Sequence, residues 1–233
     1  HIAFFTSKGR TFRLKGYEIP EGSRTSKGMN IVNLLPLEGG ETISSMNCGR
    51  GDDYKYLCMF TRNGIIKRSA VTEYANIRRT GVIAITLDEG DELAWVKMTK
   101  GNDDIIVATK KGMSIRFNEN DARPIGRTAR GVKAIELAEG DEVIGVATVE
   151  EGKSILTVSE TGFGRVSDFD NYRVQSRGGK GLINYHTEKN GDVAAVTSVS
   201  DDNDIILISS DGIIIRIPAD GISKFARPSK GVR

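Results

Sequence analysis

Along this chain of 233 residues, short apolar runs alternate with polar turns that each contain a glycine. One strand-turn shape recurs as Ile2-Ala-Phe-Phe-Thr-Ser-Lys-Gly9, Tyr56-Leu-Cys-Met-Phe-Thr-Arg-Asn-Gly64 and Ile105-Ile-Val-Ala-Thr-Lys-Lys-Gly112. It returns as Ile155-Leu-Thr-Val-Ser-Glu-Thr-Gly162 and Ile205-Ile-Leu-Ile-Ser-Ser-Asp-Gly212, so the turn glycines lie 55, 48, 50 and 50 residues apart. Each closes a hairpin turn that needs positive φ. A second strand carrying a cation follows: Arg13, Lys67 with Arg68, Arg116, Arg165 and Arg216. Next comes a loop of small and basic residues that ends in a second glycine, at Gly28, Gly81, Gly131, Gly181 and Gly231, spaced 53, 50, 50 and 50. A third strand leads into an acidic turn (Glu38–Glu41, Asp88–Asp91, Ala138–Asp141, Lys189–Asp192), and a fourth strand completes the unit.

Few stretches show helical spacing over ten or more residues. Four strands in each unit of about 50 residues predict an all-β, propeller-like fold of radial blades. A solenoid of stacked sheets is the alternative. No linker or low-complexity segment interrupts the series, so residues 1–233 read as a single domain with five repeats. The last repeat stops at Gly231-Val232-Arg233, and both chain ends are expected to be cuts within a longer polypeptide.

Composition adds exclusions. No apolar run approaches the roughly 20 residues of a membrane helix, and His1 is not followed by a signal-peptide pattern. Cys48 and Cys58 lie in strand-like segments without metal-ligand spacing and are expected as buried free thiols. The two histidines, His1 and His186, are far apart, and phosphate-loop and dinucleotide signatures are missing. No catalytic residue, metal or cofactor is therefore expected in this domain.

The formal net charge of +2 is uninformative until charge is sorted by repeat position. The loop before each second glycine is basic in all five repeats: Arg24 and Lys27, Arg78 and Arg79, Arg127 and Arg130, Arg177 and Lys180, Arg227 and Lys230. In four of them the cations stand four and one residues before the glycine. Radial repetition predicts a positive belt with negative patches elsewhere, suited to the evenly spaced phosphates of a duplex. The fourth loop, Gln175-Ser-Arg-Gly-Gly-Lys-Gly181, has three glycines in four positions, which permit close backbone approach and a nest of amides for an anion. Arg177 can fork two donors onto one phosphate, Lys180 offers a compact charge, and Gln175 can tie down the loop or bond a phosphate or sugar.

That loop resembles the GyrA box, Gln-basic-Arg-Gly-Gly-basic-Gly, with Ser176 departing at the second position. Tyr17-Glu-Ile-Pro-Glu21, Ile31-Val-Asn-Leu-Leu-Pro36, Phe163-Gly-Arg165 and Thr187-Glu-Lys-Asn-Gly191 carry the same likeness, and from Ile2 to Arg233 the chain resembles the C-terminal domain of the bacterial DNA gyrase A protein. The resemblance implies a β-pinwheel, in which neighbouring blades exchange strands and duplex DNA wraps around the outer rim without sequence preference. It implies as partners double-stranded DNA, the gyrase B protein and the rest of the gyrase A protein. It further implies a place in an ATP-driven, negatively supercoiling type II topoisomerase of the bacterial cytoplasm and nucleoid, with no membrane contact. The DNA-binding residues it implies are Gln175, Arg177, Gly178, Gly179, Lys180 and Gly181 on the box, and Arg24, Lys27, Arg78, Arg79, Arg127, Arg130, Arg227 and Lys230 on the equivalent loops.

Two departures stand out. The family's principal box lies in the first blade and this one in the fourth visible repeat, so the first blade is expected to be missing from this chain. Val166 stands where the other repeats have Arg13, Arg68, Arg116 and Arg216, so the strand cation of that repeat is expected to be displaced to Arg165. The C-terminal domain of topoisomerase IV shares the fold with eroded boxes; the intact glycines of Gln175–Gly181 favour gyrase. A protein-binding propeller scaffold would use an apolar or mixed central face and leave the loop cations idle.

Overall fold

The computed structural model describes residues 1–23, 25–48 and 53–233. The first repeat forms β1 (Ile2–Thr6), β2 (Arg10–Leu14) and β3 (Ile43–Cys48). The second forms β4 (Tyr56–Thr61), β5 (Ile65–Ala70), β6 (Val82–Ile83) and β7 (Leu93–Thr99). The third forms β8 (Asp104–Thr109), β9 (Met113–Asn118), β10 (Val132–Lys133) and β11 (Val143–Thr148). The fourth forms β12 (Lys153–Ser159), β13 (Gly164–Ser167), β14 (Leu182–Ile183) and β15 (Val193–Ser200), and the fifth β16 (Asp204–Ile208) and β17 (Ile214–Pro218). Among the described residues there is no α-helix, only short 3-10 turns, and no helix is long and apolar enough to cross a membrane.

Within a repeat, the first and second strands form an antiparallel hairpin, and the fourth strand pairs with the first (β3 with β1, β7 with β4, β11 with β8, β15 with β12). The third strand leaves its own repeat. It pairs with the second strand of the preceding one: β6 with β2, β10 with β5, β14 with β9. The resulting sheets run β3-β1-β2-β6, β10-β5-β4-β7 and β11-β8-β9-β14, followed by β13-β12-β15 and β16-β17. This is the strand-exchanged blade of a pinwheel. Third strands are shorter than the sequence pattern suggests, two residues each in repeats 2 to 4. Repeat 1 has a 3-10 turn, Ile31–Asn33, in that place, and repeat 5 has a single bridge between Val232 and Gly164.

The chain packs as two compact units, His1–Asn102 with Ala122–Lys133, and Asp103–Asp121 with Ala134–Arg233. In the first, Phe5 packs with Leu57, Met59, Tyr74, Ile85, Leu93 and Val96, while its neighbour Phe4 faces the other side and packs with Phe12 and Leu35. In the second, Ile155 joins Ile106, Tyr172 and Val196, while Leu156 joins Val166 and Val199. Successive strand residues face opposite sides, so burial of both faces demands a continuous apolar run rather than alternation. Cys58 is buried as expected. Cys48 is exposed, against expectation, at the end of β3, the edge strand of its sheet.

Candidate nucleic-acid interface

A mismatch in length creates the basic loops. In repeat 4 the Gln175 amide donates to the Arg116 carbonyl at 2.8 Å, and Leu182 pairs with Ser114. Residues 176–181 therefore span a stretch that β9 crosses in two steps, about 7 Å at the usual strand rise. The surplus chain has to bulge outward. The same two anchors recur in repeat 3, where the Ile125 amide donates to the Arg68 carbonyl at 2.9 Å and Val132 pairs with Ile66. They recur in repeat 5, where Phe225 donates to the Val166 carbonyl at 2.8 Å and Val232 bridges Gly164. In these three repeats the closing glycine sits against the receiving strand: a Cβ on Gly181, at φ +77°, would lie 2.2 Å from the Ser114 carbonyl oxygen.

The two cations of a loop do different jobs. Those four residues before the glycine in repeats 3 to 5 are half-buried and brace the bulge through backbone carbonyls. Arg127 donates to Ile83 O at 2.6 Å, Arg177 to Asp121 O at 2.8 Å, and Arg227 to Asn171 O at 3.1 Å and to Ile183 O. Those one residue before the glycine (Lys27, Arg130, Lys180 and Lys230) are exposed. In repeat 2 the bracing position holds Ile77, packed on the core, and the exposed pair is Arg78 and Arg79. Arg10 substitutes as the brace there, donating to Thr80 O at 3.1 Å. Arg24 lies outside the described residues, and Gly28, which closes the first loop, is exposed.

The Gln175–Gly181 loop is tied inward at several points. The Gly178 amide donates to Ala134 O at 2.7 Å, Gly179 O accepts from the Glu136 amide at 2.9 Å, and the Arg177 amide donates to an Asp121 carboxylate oxygen at 3.3 Å. The Gln175 side-chain nitrogen is buried without a hydrogen-bond partner among the described residues. Lys180 is the cation this loop holds out to solvent.

The acidic turns are not set apart from the basic loops as the charge pattern suggests. Each third strand runs directly into its acidic turn, and that segment lies beside the loop of the next repeat: Thr86 N donates to Ala129 O at 3.1 Å, as Glu136 does to Gly179. In the first unit Asp88 and Arg130 form a bidentate pair. Hydrogen bonding to that guanidinium holds the Asp88 carboxyl below its usual range, and the same contact raises Arg130. At the far end of the turns, Asp91 and Asp141 cap the hairpins, accepting from the Asn63 amide at 3.0 Å and the Lys111 amide at 2.9 Å.

Second-strand cations other than Arg216, which is exposed and pairs with Asp204, brace the fold in two ways. Four residues after the turn glycine, Arg13 donates to Ala75 O at 2.9 Å. Arg68 lies 3.8 Å from the centre of the Tyr56 ring, and Arg116 donates to Phe169 O at 3.0 Å and Tyr172 O at 3.2 Å while pairing with Asp104. Arg165 is not a displaced member of this set. It stands three residues after Gly162 and points to the opposite face of its strand, the slot that Lys67 fills in repeat 2, and both are fully buried. The sequence signal for that slot is a tyrosine ten residues after the same turn glycine, Tyr74 or Tyr172.

Among the described residues no three His, Cys, Asp or Glu side chains gather as a metal site. The family model of the DNA gyrase C-terminal domain, a β-propeller, matches residues 1–48, 55–100, 103–150, 153–200 and 203–233, one segment for each repeat. The gyrase A protein of Clostridium acetobutylicum is 52% identical over 132 residues, covering 56% of this chain and 16% of that protein. That of Halalkalibacterium halodurans is 51% identical over 131 residues, with the same coverage, so the matched stretch spans about one sixth of these relatives. A solved DNA gyrase A C-terminal domain superposes with a TM-score of 0.84 at 28% identity, covering 99% of this chain and 76% of that one. The C-terminal domain of a DNA topoisomerase IV superposes with a TM-score of 0.88 at 23% identity, over 99% and 73%, which is a likeness of fold. With all five repeats matched, the chain belongs to the DNA gyrase C-terminal domain family.

Proposed function

We propose that this chain binds duplex DNA through its basic loops without reading sequence. Within a whole gyrase A protein, working with gyrase B, it wraps DNA in support of ATP-driven negative supercoiling. One observation carries the reading: three loops are built from the same two backbone anchors, and each holds a cation out to solvent one residue before its closing glycine. Regularly repeated point charges suit a phosphate backbone better than they suit base edges.

Among the described loop cations, Lys27, Arg78, Arg79, Arg130, Lys180 and Lys230 are exposed. If about five of them each neutralise a phosphate, the logarithm of affinity falls with the logarithm of salt at a slope of about −4.5. Affinity then drops several hundred-fold between 50 and 200 mM salt. Fluorescence anisotropy of a labelled duplex of mixed sequence measures this; salt-independent binding, or none at low salt, refutes the reading. Wrapping is tested separately by religating nicked plasmid in the presence of the protein. A net change in linking number supports it, and an unchanged topoisomer distribution leaves binding without wrapping.

A further inference from the structure

Three residues after the turn glycine, three repeats carry an apolar side chain (Phe12, Ile115, Ile215) and two carry a cation (Lys67, Arg165). Ten residues after the same glycine the apolar repeats have Ile19, Ala122 and Ile222, whereas the cationic repeats have Tyr74 and Tyr172. Cation and tyrosine occur together and are absent together. Lys67 Nζ donates to Tyr74 Oη at 3.1 Å, Ala84 O at 2.7 Å and Arg127 O at 2.8 Å. Arg165 donates to Asn184 O at 2.6 Å, Asn184 Oδ1 at 2.9 Å and Ser229 O at 3.1 Å, and Tyr172 Oη donates to the same Asn184 Oδ1 at 2.7 Å. Ala84 and Asn184 each stand three residues after their repeat's second glycine, and Arg127 and Ser229 each lie in the basic loop of the next repeat. The two arrangements are copies of one device.

Neither buried cation makes an ion pair among the described residues; its acceptors are neutral oxygens. Buried apolar side chains, Phe12 and Ile115, fill the same slot in repeats 1 and 3, and buried charges are commonly replaceable by such residues without loss of stability. Packing therefore does not account for the charge, whereas the loop carbonyl it holds does. Resting on the DNA-binding reading, we propose that Lys67–Tyr74 and Arg165–Tyr172 are buried clasps that fix the basic loops of repeats 3 and 5 in position for phosphate. Lys67 and Arg165 are positioning residues; the cations they present to DNA through those loops are Arg130 and Lys230.

The two clasps differ in chemistry. Burial pushes Lys67 down to about 8, opposed by Glu73 and assisted by Arg127, while an arginine at the second clasp stays charged. Tyr74, held at about 12 by burial, does not titrate in the same range, and the strand residue paired with Lys67 is Met59, which pairs in turn with Val96. Loss of the lysine proton removes one donor and the charge from the first clasp only.

The test combines amide hydrogen exchange with duplex binding on the 233-residue chain. In Lys67→Met, exchange within 126–131 is expected to quicken about tenfold, the equivalent of one lost hydrogen bond, while 226–231 keeps the wild-type rate. Duplex affinity at pH 7.5 is expected to fall three- to tenfold. In the wild type, affinity is expected to weaken between pH 7 and 9.5, and Lys67→Arg is expected to restore binding and flatten that profile. Should Lys67→Met not fold, Tyr74→Phe, which removes only the hydroxyl, gives the exchange readout. Wild-type exchange in 126–131 of the folded variant, or a wild-type binding profile that is flat over this pH range, overturns the proposal. A wild type that binds no duplex at low salt refutes the DNA reading instead, and the exchange rates still decide the clasp.

Discussion

Replacing Gly181 with alanine tests how the loops are made. Gly181 has φ +77°, where an L side chain is strained by about 1–2 kcal/mol. The added Cβ also meets Ser114 O at 2.2 Å, and Ser114 pairs with Leu182 on the adjoining strand, so relief requires the arm to lift off β9. Overpacking of this kind costs about 1–3 kcal/mol, for a total of about 2–5 kcal/mol. Gly28 is the internal control, since it has φ +72° and no atom within 4 Å of the would-be Cβ; its substitution is expected to cost only the backbone share, about 1–2 kcal/mol. Urea denaturation followed by circular dichroism gives the two losses, and amide exchange at Leu182 and Ile183 locates the first. Equal losses for the two variants, or unchanged exchange in β14, would refute the account of the bulge as a surplus of chain clamped by close backbone approach.

Other consequences concern charge. Lys180→Ala is expected to reduce the salt slope of duplex binding by about 0.9 and leave the melting temperature unchanged, whereas Arg177→Ala, which removes the brace on Asp121, lowers both. Asp88→Asn frees Arg130 from its carboxylate partner, and titration of a duplex at several salt concentrations is expected to show tighter binding with a slope steeper by up to about 0.9. Lys67 also sets a pH dependence of stability. Its folded value of about 8 lies below the ordinary 10.5, so between these limits the unfolded chain holds the proton and the native chain does not. Stability then rises with pH across that window, by up to about 3 kcal/mol, with the burial penalty fully present below pH 8. Denaturation midpoints at pH 7.5 and 9.5 measure the rise, which Lys67→Met is expected to abolish. Above pH 10 Tyr74 reverses the trend, because the unfolded chain ionises before the native one.

Much of this protein is written locally. Turn glycines, apolar first strands and acidic turns report backbone conformation and burial near their own position, so the repeat, the all-β class and the five basic loops are legible without a structure. The pairing of the third strand is not, because two residues such as Leu182 and Ile183 carry no mark of which hairpin receives them. From that exchange the rest follows. It sets Asp88 beside Arg130, although the charge pattern places acid and base apart. It divides the loop cations into half-buried braces such as Arg127 and exposed charges such as Lys180, which the sequence presents as equals. It also brings the next repeat against both faces of a second strand, so that Arg116, four residues after its turn glycine, holds a turn of the next repeat, and Arg165, three residues after its own, lies buried beneath the next repeat's loop. Sequence alone determined the repeating unit, because φ, ψ and strand burial are local properties. Tertiary structure decided what the bracing cations touch across repeats, because partners such as Ile83 of Arg127, Ser229 of Arg165 and Thr80 of Arg10 lie 44, 64 and 70 residues away and meet only when neighbouring repeats exchange strands.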